Sequence, residues 1–363
     1  MIEVVIGCLL FVLWLMRKII KRNLIKLLEQ HNYHKQIQHE LSLSIDDVFN
    51  GFIGNEGAVS QIKRELRYAR LHNLKKIQPL GLFGPPSTGK TELAKRIARA
   101  LGLPILVLSK STLSKEENFF NEVSKEIENL SDGMLVAPPM VIFLDEAHVL
   151  SGRVQDSLLT ALENDDRCFR SNAGDIDTQN ITFIIATTDP GKLRSAFRSR
   201  LYVLNLVSYS LEEIVKILKH RREHDSNVEK VCMIIPDDAL TFIAKAGRGM
   251  PRRAIELMKA IGKAISLKDV EPTLEAIQSD LWRTLACDKN GLLDIDRKYL
   301  CFLSERKAAG LRLLSSALGL DKDNIEHMIE PWLIQNGLIE CDRSGRKITP
   351  KGSLLMIGKN NAK

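Results

Sequence analysis

The 363-residue sequence predicts an α/β domain with a parallel sheet, then a small all-helical domain, then a few helices closed by a β-hairpin. Three observations carry this. Short apolar, β-branched runs alternate with amphipathic helical stretches between about residues 44 and 208. Past Leu211 such runs stop, and three segments carry apolar stripes at helical spacing. Near the C-terminus, β-prone segments flank Asp342-Arg343-Ser344-Gly345-Arg346, a hairpin signal.

The chain opens with the apolar run Val4–Met16, VVIGCLLFVLWLM, followed by Arg17-Lys18 and Lys21-Arg22. These thirteen residues fall short of the ~20 needed to cross a hydrocarbon core. Ile2, Ile19 and Ile20, with the neighbouring cations snorkelling, bring the segment close to a thin span. Residues 1–23 are therefore expected to form a membrane anchor, and the basic flank keeps the rest of the chain on the cytoplasmic face. Without insertion the segment is a buried or mistranslated leader and the protein cytoplasmic. No small-x-small cleavage site follows, which argues against a secretory signal. Residues 24–43, polar with scattered Leu and Ile, read as a linking helix.

The strand-like runs of residues 44–208 are LGLFG (80–84), PILVLS (104–109), MVIFLD (140–145) and TFIIAT (182–187). Runs of this length, bounded by turn residues and separated by helices such as TELAKRIARALG (91–102), suit a parallel sheet covered on both faces. Residues 209–285 hold SLEEIVKILKHRRE, DDALTFIAKAG and PRRAIELMKAIGKAI, with Ser210 and Asp237 expected to cap the first two. Residues 286–358 hold two or three helices and then IECDRSGRKIT.

The composition, 44% hydrophobic and 27% charged, excludes a collagen-like, disulfide-stapled or wholly disordered chain. A formal charge of +7 leans toward an anionic partner, nucleic acid or inner-leaflet lipid, but the excess is modest for this size. The six cysteines lie far apart without a CxxC pair, so they read as scattered reduced thiols and argue against structural zinc.

Gly84-Pro85-Pro86-Ser87-Thr88-Gly89-Lys90-Thr91 matches a phosphate-binding loop at each required position, between an apolar run and an amphipathic helix. Backbone N–H groups of such a loop curl around phosphate oxygens at a helix N-terminus. Lys90 would reach the β- and γ-phosphates of ATP, and Thr91 would ligate Mg2+. The nucleotide-binding set thus comprises Gly84, Ser87, Thr88, Gly89, Lys90, Thr91 and Glu92. The run Val141–Leu144 then delivers Asp145-Glu146 to a strand end, where open parallel sheets bind ligands. Asp145 would hold Mg2+ through its water shell, and Glu146 would polarise the attacking water. In IIATTDPGKLRSAFRSR, Thr187 and Thr188 sit at a strand tip within reach of the γ-phosphate. Arg198 and Arg200 are either solvated surface charges or fingers that stabilise transition-state charge at a neighbouring subunit's ATP.

These motifs, with ATTDP, FRSR and GRGMPRRA (247–254), resemble the AAA+ ATPases. More narrowly, GLRLLSSALG and IEHMIEPWLIQNGLIECDRSGRKIT resemble the winged helix of the RuvB family, the Holliday-junction branch-migration motors. The resemblance spans about Ile45 to Thr349 and implies an AAA+ core, a helical lid and a C-terminal winged-helix domain. By position it implies Phe52 and Ile53 in the adenine pocket, Thr188 as first sensor, Arg200 as trans-acting finger with Arg198 a near alternative, Tyr209 as a nucleotide contact and Arg252 as second sensor. It also implies a DNA-backbone contact at Arg346, with Arg343 and Lys347 adding positive charge on the wing. Backbone contacts of this kind give affinity without reading sequence.

The implied activity is an ATP-hydrolysing DNA translocase or helicase working on duplex or four-way-junction DNA in recombination and repair, assembled as a homo-oligomeric, hexameric ring. Several positions depart from the family. Cys341 and Ser344 stand where wing arginines are expected, and Ser44-Ile45-Asp46-Asp47 replaces an arginine-proline pair ahead of the adenine pocket. The stretch after Glu163 is shorter and more polar than the hairpin that grips RuvA, which speaks against a RuvA-type partner. Such departures leave room for an alternative, a membrane-tethered remodeller of proteins or a mobile-element or phage-related ATPase whose winged helix docks protein. A non-catalytic ATP-binding switch is a third reading, which Glu146 and Arg200 oppose.

Overall fold

The computed structural model describes Lys18 and residues 43–131, 138–163, 168–171, 174–224, 230–288 and 290–357. Nearly all of the expected anchor and of the expected linking helix lies outside the described residues. Among those described, no helix is long and apolar enough to cross a membrane. The chain divides into two compact units, Met1–Val207 and Ser208–Lys363.

The strands of the first unit are β1 (Leu80–Phe83), β2 (Ile105–Leu108), β3 (Met140–Leu144), β4 (Cys168–Ser171), β5 (Gly174–Asp177), β6 (Ile181–Thr187) and β7 (Tyr202–Asn205). Five of them form one sheet in the order β2-β3-β6-β1-β7, and every pairing in it is parallel. The three central strands β3, β6 and β1 are buried along their whole length. That is why they read as continuous apolar runs rather than alternating ones. Edge strand β7 was not anticipated. Its sequence YVLN buries Leu204 but leaves Tyr202 and Val203 half-exposed, so no apolar run announces it.

The helices are α1 (Ile45–Phe49), α2 (Glu56–Leu71), α3 (Lys90–Leu101), α4 (Lys110–Leu113), α5 (Glu116–Ser131), α6 (Gly152–Ala161) and α7 (Ser195–Arg198). Leu66 of α2, and Leu93 and Ile97 of α3, pack with Leu80, Leu82, Val141 and Ile184 in one core. Phe119 of α5 and Leu158 of α6 pack with Ile142, Phe183 and Ile185 in a second. Alternate residues of β3 and β6 thus serve two cores. Ser44-Ile45-Asp46-Asp47 forms a capping box: Ser44 accepts the Asp47 N–H while Asp47 accepts that of Ser44. Asp46 there pairs with Lys63 and Arg67 of α2.

In the second unit, α8 (Leu211–His224), α9 (Asp237–Ala246), α10 (Pro251–Ser266) and α11 (Leu274–Leu285) surround a core that includes Leu218, Phe242, Met258 and Ile277. Ser210 caps α8, receiving the Glu213 N–H at 3.1 Å while Glu213 accepts the Ser210 N–H at 2.7 Å. Asp237 does not cap α9. It is the first helical residue, preceded by Pro236, and its carboxylate pairs with Lys219 and Arg222 of α8. Next come α12 (Asp294–Ser304), α13 (Leu311–Leu318) and α14 (Lys322–Asn324), which runs through a π-helical turn at Ile325–Ile329 into α15 (Glu330–Gln335). The hairpin β8 (Ile339–Asp342) and β9 (Gly345–Ile348), then α16 (Pro350–Ile357), complete it. Tyr299, Leu300, Leu314, Leu333 and Ile339 form its core.

Candidate functional site

Because β3, β6 and β1 are adjacent and parallel, their C-terminal ends lie side by side. The phosphate loop follows β1, the acidic pair follows β3, and Thr188 follows β6. Register places Phe83 opposite Thr187, and Leu144 opposite Ile185. Three motifs scattered over about a hundred residues therefore share one sheet edge.

The phosphate loop is shaped by close backbone packing. A side chain on Gly84 would place its Cβ 2.4 Å from the Leu206 carbonyl oxygen, so only glycine fits. Ser87 is left-handed at φ 62°, and Gly89 caps α3. The Thr88 hydroxyl donates to the Pro85 carbonyl at 2.9 Å. Lys90 is buried, its ammonium donating to the carbonyls of Gly84 at 2.9 Å and Pro85 at 2.8 Å. Burial lowers its pKa below the ordinary lysine range, while Glu146 and Asp145 pull it back up. A buried ammonium held by backbone carbonyls, next to a backbone cradle, fits a polyphosphate.

Thr91 Oγ1 donates to Asp145 Oδ2 at 3.2 Å. This hydroxyl and carboxylate, both hard oxygen donors, suit Mg2+. Glu146 stands in the left-handed region at φ 57°. Its Oε2 accepts from Thr188 Oγ1 at 3.1 Å and lies 3.2 Å from His148 Nδ1. The same imidazole nitrogen is 3.2 Å from Thr187 Oγ1, which also accepts the Asp189 N–H. The carboxylate that would polarise water is thus held from two sides. Sequence reasoning missed His148; its place two residues after Glu146, in the turn leaving β3, was the available signal.

Phe52 and Ile53 are half-buried just after α1. Arg96 of α3 donates to the carbonyls of Val48 and Asn50 and lies over the Phe52 ring at 5.7 Å, so α3 ties down this stretch. Arg96 also takes the Glu92 carboxylate, at 2.9 Å, leaving Glu92 an ion-pair partner rather than a phosphate-facing group.

Arg198 is exposed, with no partner among the described residues. Arg200 is engaged within its own protomer, donating to Glu163 Oε1 at 2.6 Å and to the Ala196 carbonyl at 2.8 Å. Its buried Nε has no acceptor among the described residues. Beyond Glu163, β4 and β5 form an antiparallel hairpin whose Phe169 and Ile176 point into the core. Residues 164–167 and 172–173 of the stretch weighed as a RuvA grip lie outside the described residues.

In the second unit, Tyr209 is buried in the helical core and Arg252 is exposed in the first turn of α10. On the wing, the three expected cations differ. Arg343 is exposed and without a partner among the described residues. Lys347 pairs with Asp342 at 2.7 Å. Arg346 donates Nε to Glu330 Oε1 at 2.9 Å and Nη2 to Glu326 Oε1 at 2.9 Å, and Glu330 is buried. This guanidinium is committed to its own domain, which the wing's sequence gives no sign of.

Residues 80–209 match the family described as ATPase family associated with various cellular activities (AAA), and residues 289–357 match the RuvB C-terminal winged helix domain. The Holliday junction branch migration complex subunit RuvB of Fervidobacterium nodosum is 30% identical over 309 residues, 83% of this chain and 84% of that protein. Its counterpart in Anaplasma phagocytophilum is 30% identical over 338 residues, 90% and 96% of the two chains. Among solved structures, the Thermotoga maritima RuvB Holliday junction branch migration motor matches with a TM-score of 0.66 at 29% identity, covering 84% of this chain and 95% of that one. A point mutant of the same protein matches with a TM-score of 0.68 at 29% identity, covering 86% and 97% of the two chains.

Proposed function

Since the chain belongs to the RuvB family, with an AAA ATPase domain and a RuvB-type winged helix, we propose that it is an ATP-driven translocase on duplex or four-way-junction DNA. The observation that carries the reading is the meeting of Thr91, Asp145, Glu146 and Thr188 at the ends of adjacent strands, beside a buried Lys90. Lys90 binds phosphate, Thr91 and Asp145 hold Mg2+, and Thr188 and His148 aim the Glu146 carboxylate, which takes a proton from the attacking water. Mg2+, when bound, neutralises phosphate charge. Arg200 acts on the ATP of the next protomer in a homo-oligomeric, hexameric ring, and Arg252 reports nucleotide state to the lid. Domain limits of 44–208, 209–285 and 286–358 go with this reading, as does cytoplasmic operation; insertion of residues 1–23 would add a tether and hold the motor at the cytoplasmic face of the membrane.

The test is turnover with and without four-way-junction DNA. Stimulation by DNA is expected, abolished by Glu146→Gln; a wild-type rate indifferent to DNA defeats the DNA-motor reading.

One observation favours a second reading, a protein remodeller with the same ATPase chemistry. Residues 286–358 carry eleven Lys and Arg against ten Asp and Glu, and Arg346 is already paired. Loss of binding to DNA at low salt, with ATPase intact, selects that alternative.

A further inference from the structure

The turn Gly247-Arg248-Gly249, just before α10 and Arg252, holds a buried arginine that the ATPase chemistry does not use. Arg248 is 6% exposed and left-handed at φ 57°. Its Nη2 donates to Asp296 Oδ1 at 2.9 Å, and Asp296 is fully buried on α12, the first helix after the lid. The guanidinium also lies 5.0 Å from the ring centroid of Trp332 on α15. Its Nε is buried with no acceptor among the described residues. One side chain from the lid thus grips two helices of the winged helix. A buried ion pair is weak evidence for stability, but parting Arg248 from Asp296 would leave an uncompensated buried charge on each side, which opposes relative movement of the two.

The segment joining the two domains is fastened as well. Arg297 donates to the Ala286 carbonyl at 2.9 Å and the Leu292 carbonyl at 2.8 Å, and lies over Trp282 of α11. Asp288 accepts the Leu292 N–H, and the Asp288 N–H donates back to the Leu292 carbonyl. Gly291, at φ 82°, presses against the Lys245 carbonyl at the end of α9, 3.2 Å from where a Cβ would stand. Residues 286–288 and 290–293 are therefore packed against both domains rather than strung between them.

We propose that Arg248 is a positioning residue that couples nucleotide state to the winged helix: it locks the turn bearing Arg252 onto α12 and α15, so that lid and winged helix move as one body. Whatever displaces Arg252 displaces the winged helix with it. This rests on the ATP-driven reading above for its functional consequence, but not for its geometry.

The test uses the full chain and two variants. The double change Arg248→Met with Asp296→Asn removes both charges and strands neither, and the amide oxygen keeps the hydrogen bond that Asp296 accepts from the Leu293 N–H, so folding and the helix cap are retained. Arg248→Lys keeps the charge but not the planar group that stacks on Trp332. Hydrogen exchange across residues 286–296 is followed by mass spectrometry, alongside ATPase rate with and without duplex DNA. In the double variant, exchange at 286–296 is expected to rise at least tenfold, with the core of α10 unchanged. Basal ATPase is expected to stay within about twofold while DNA stimulation is lost, and Arg248→Lys falls between. Unchanged exchange in the double variant overturns the coupling, whatever the DNA result. If wild-type turnover ignores DNA while exchange changes as stated, the DNA-motor reading fails and the coupling stands. Protected exchange with stimulation intact defeats the coupling alone.

Discussion

Arg346 closes on Glu330, Nε to Oε1 at 2.9 Å, and the Tyr299 hydroxyl donates to that same oxygen at 2.8 Å. Glu330 is buried, so the arginine neutralises a charge that has little access to water. Stranding one partner of such a pair costs about 3 kcal/mol. Arg346→Ala is therefore expected to lower the unfolding free energy of the winged helix by that order, read from its urea midpoint. Arg343→Ala is expected to leave stability within about 0.5 kcal/mol. It should instead shrink the slope of log affinity for DNA against log salt by about 0.9, the signature of one lost phosphate contact. A stable Arg346→Ala protein contradicts the structural role assigned to the pair.

Glu146 is held by Thr188 and His148, and on the proposed reading both contacts serve its orientation rather than ATP affinity. Glu146→Gln keeps the shape but loses the base, so turnover should fall by about a hundredfold or more with nucleotide binding retained. Thr188→Val removes one hydrogen bond to the carboxylate and should cost roughly tenfold in kcat, equivalent to about 1.4 kcal/mol. Its KM should barely change. A rise in KM at constant kcat places Thr188 on the ground-state nucleotide instead.

Much of this site was legible because its motifs are local. The phosphate loop needs eight consecutive residues, and the acidic pair needs only a buried strand ending in carboxylates. Strands β1, β3 and β6 were visible for a related reason: burial on both faces leaves an unbroken apolar run. β7, β4 and β5 were not, since an edge strand and a polar hairpin each bury only a few side chains. Pairings such as Arg200 with Glu163, Arg248 with Asp296 and Arg346 with Glu330 join residues 37, 48 and 16 positions apart. No local pattern encodes them, and an arginine in sequence gives no sign of whether it faces phosphate or a carboxylate of its own chain.

The wing turn should respond to acid. Lys347 first, then the Ser344 hydroxyl and backbone N–H, hold the Asp342 pKa down to about 2. The folded value lies below the ~3.9 of an unfolded Asp. The stability this group contributes is therefore complete above that unfolded value and is lost as pH falls toward about 2. Asp342→Asn should abolish this increment. Urea midpoints of the two proteins should differ at neutral pH and converge as pH is lowered through that window. A constant gap across the window shows that Asp342 does not titrate as its contacts require.

Arg200 gives the most direct test of ring chemistry. Its pairing with Glu163 leaves the arginine side chain 30% and the glutamate 44% exposed. A partly exposed pair of this kind is worth at most about 1 kcal/mol, too little to keep Arg200 from a triphosphate presented by a neighbour. Arg200→Ala and Lys90→Ala should each be inactive alone, the first lacking the finger and the second the phosphate site. In a head-to-tail ring assembled from an equal mixture, roughly a quarter of the interfaces pair an intact site with an intact finger. Mixing the two inactive proteins should therefore restore turnover, with the recovered rate set by that fraction. If the mixture is as inactive as its components, the arginine acts within its own subunit. Arg198→Ala, mixed in the same way with Lys90→Ala, tells which of the two arginines is the one shared between protomers.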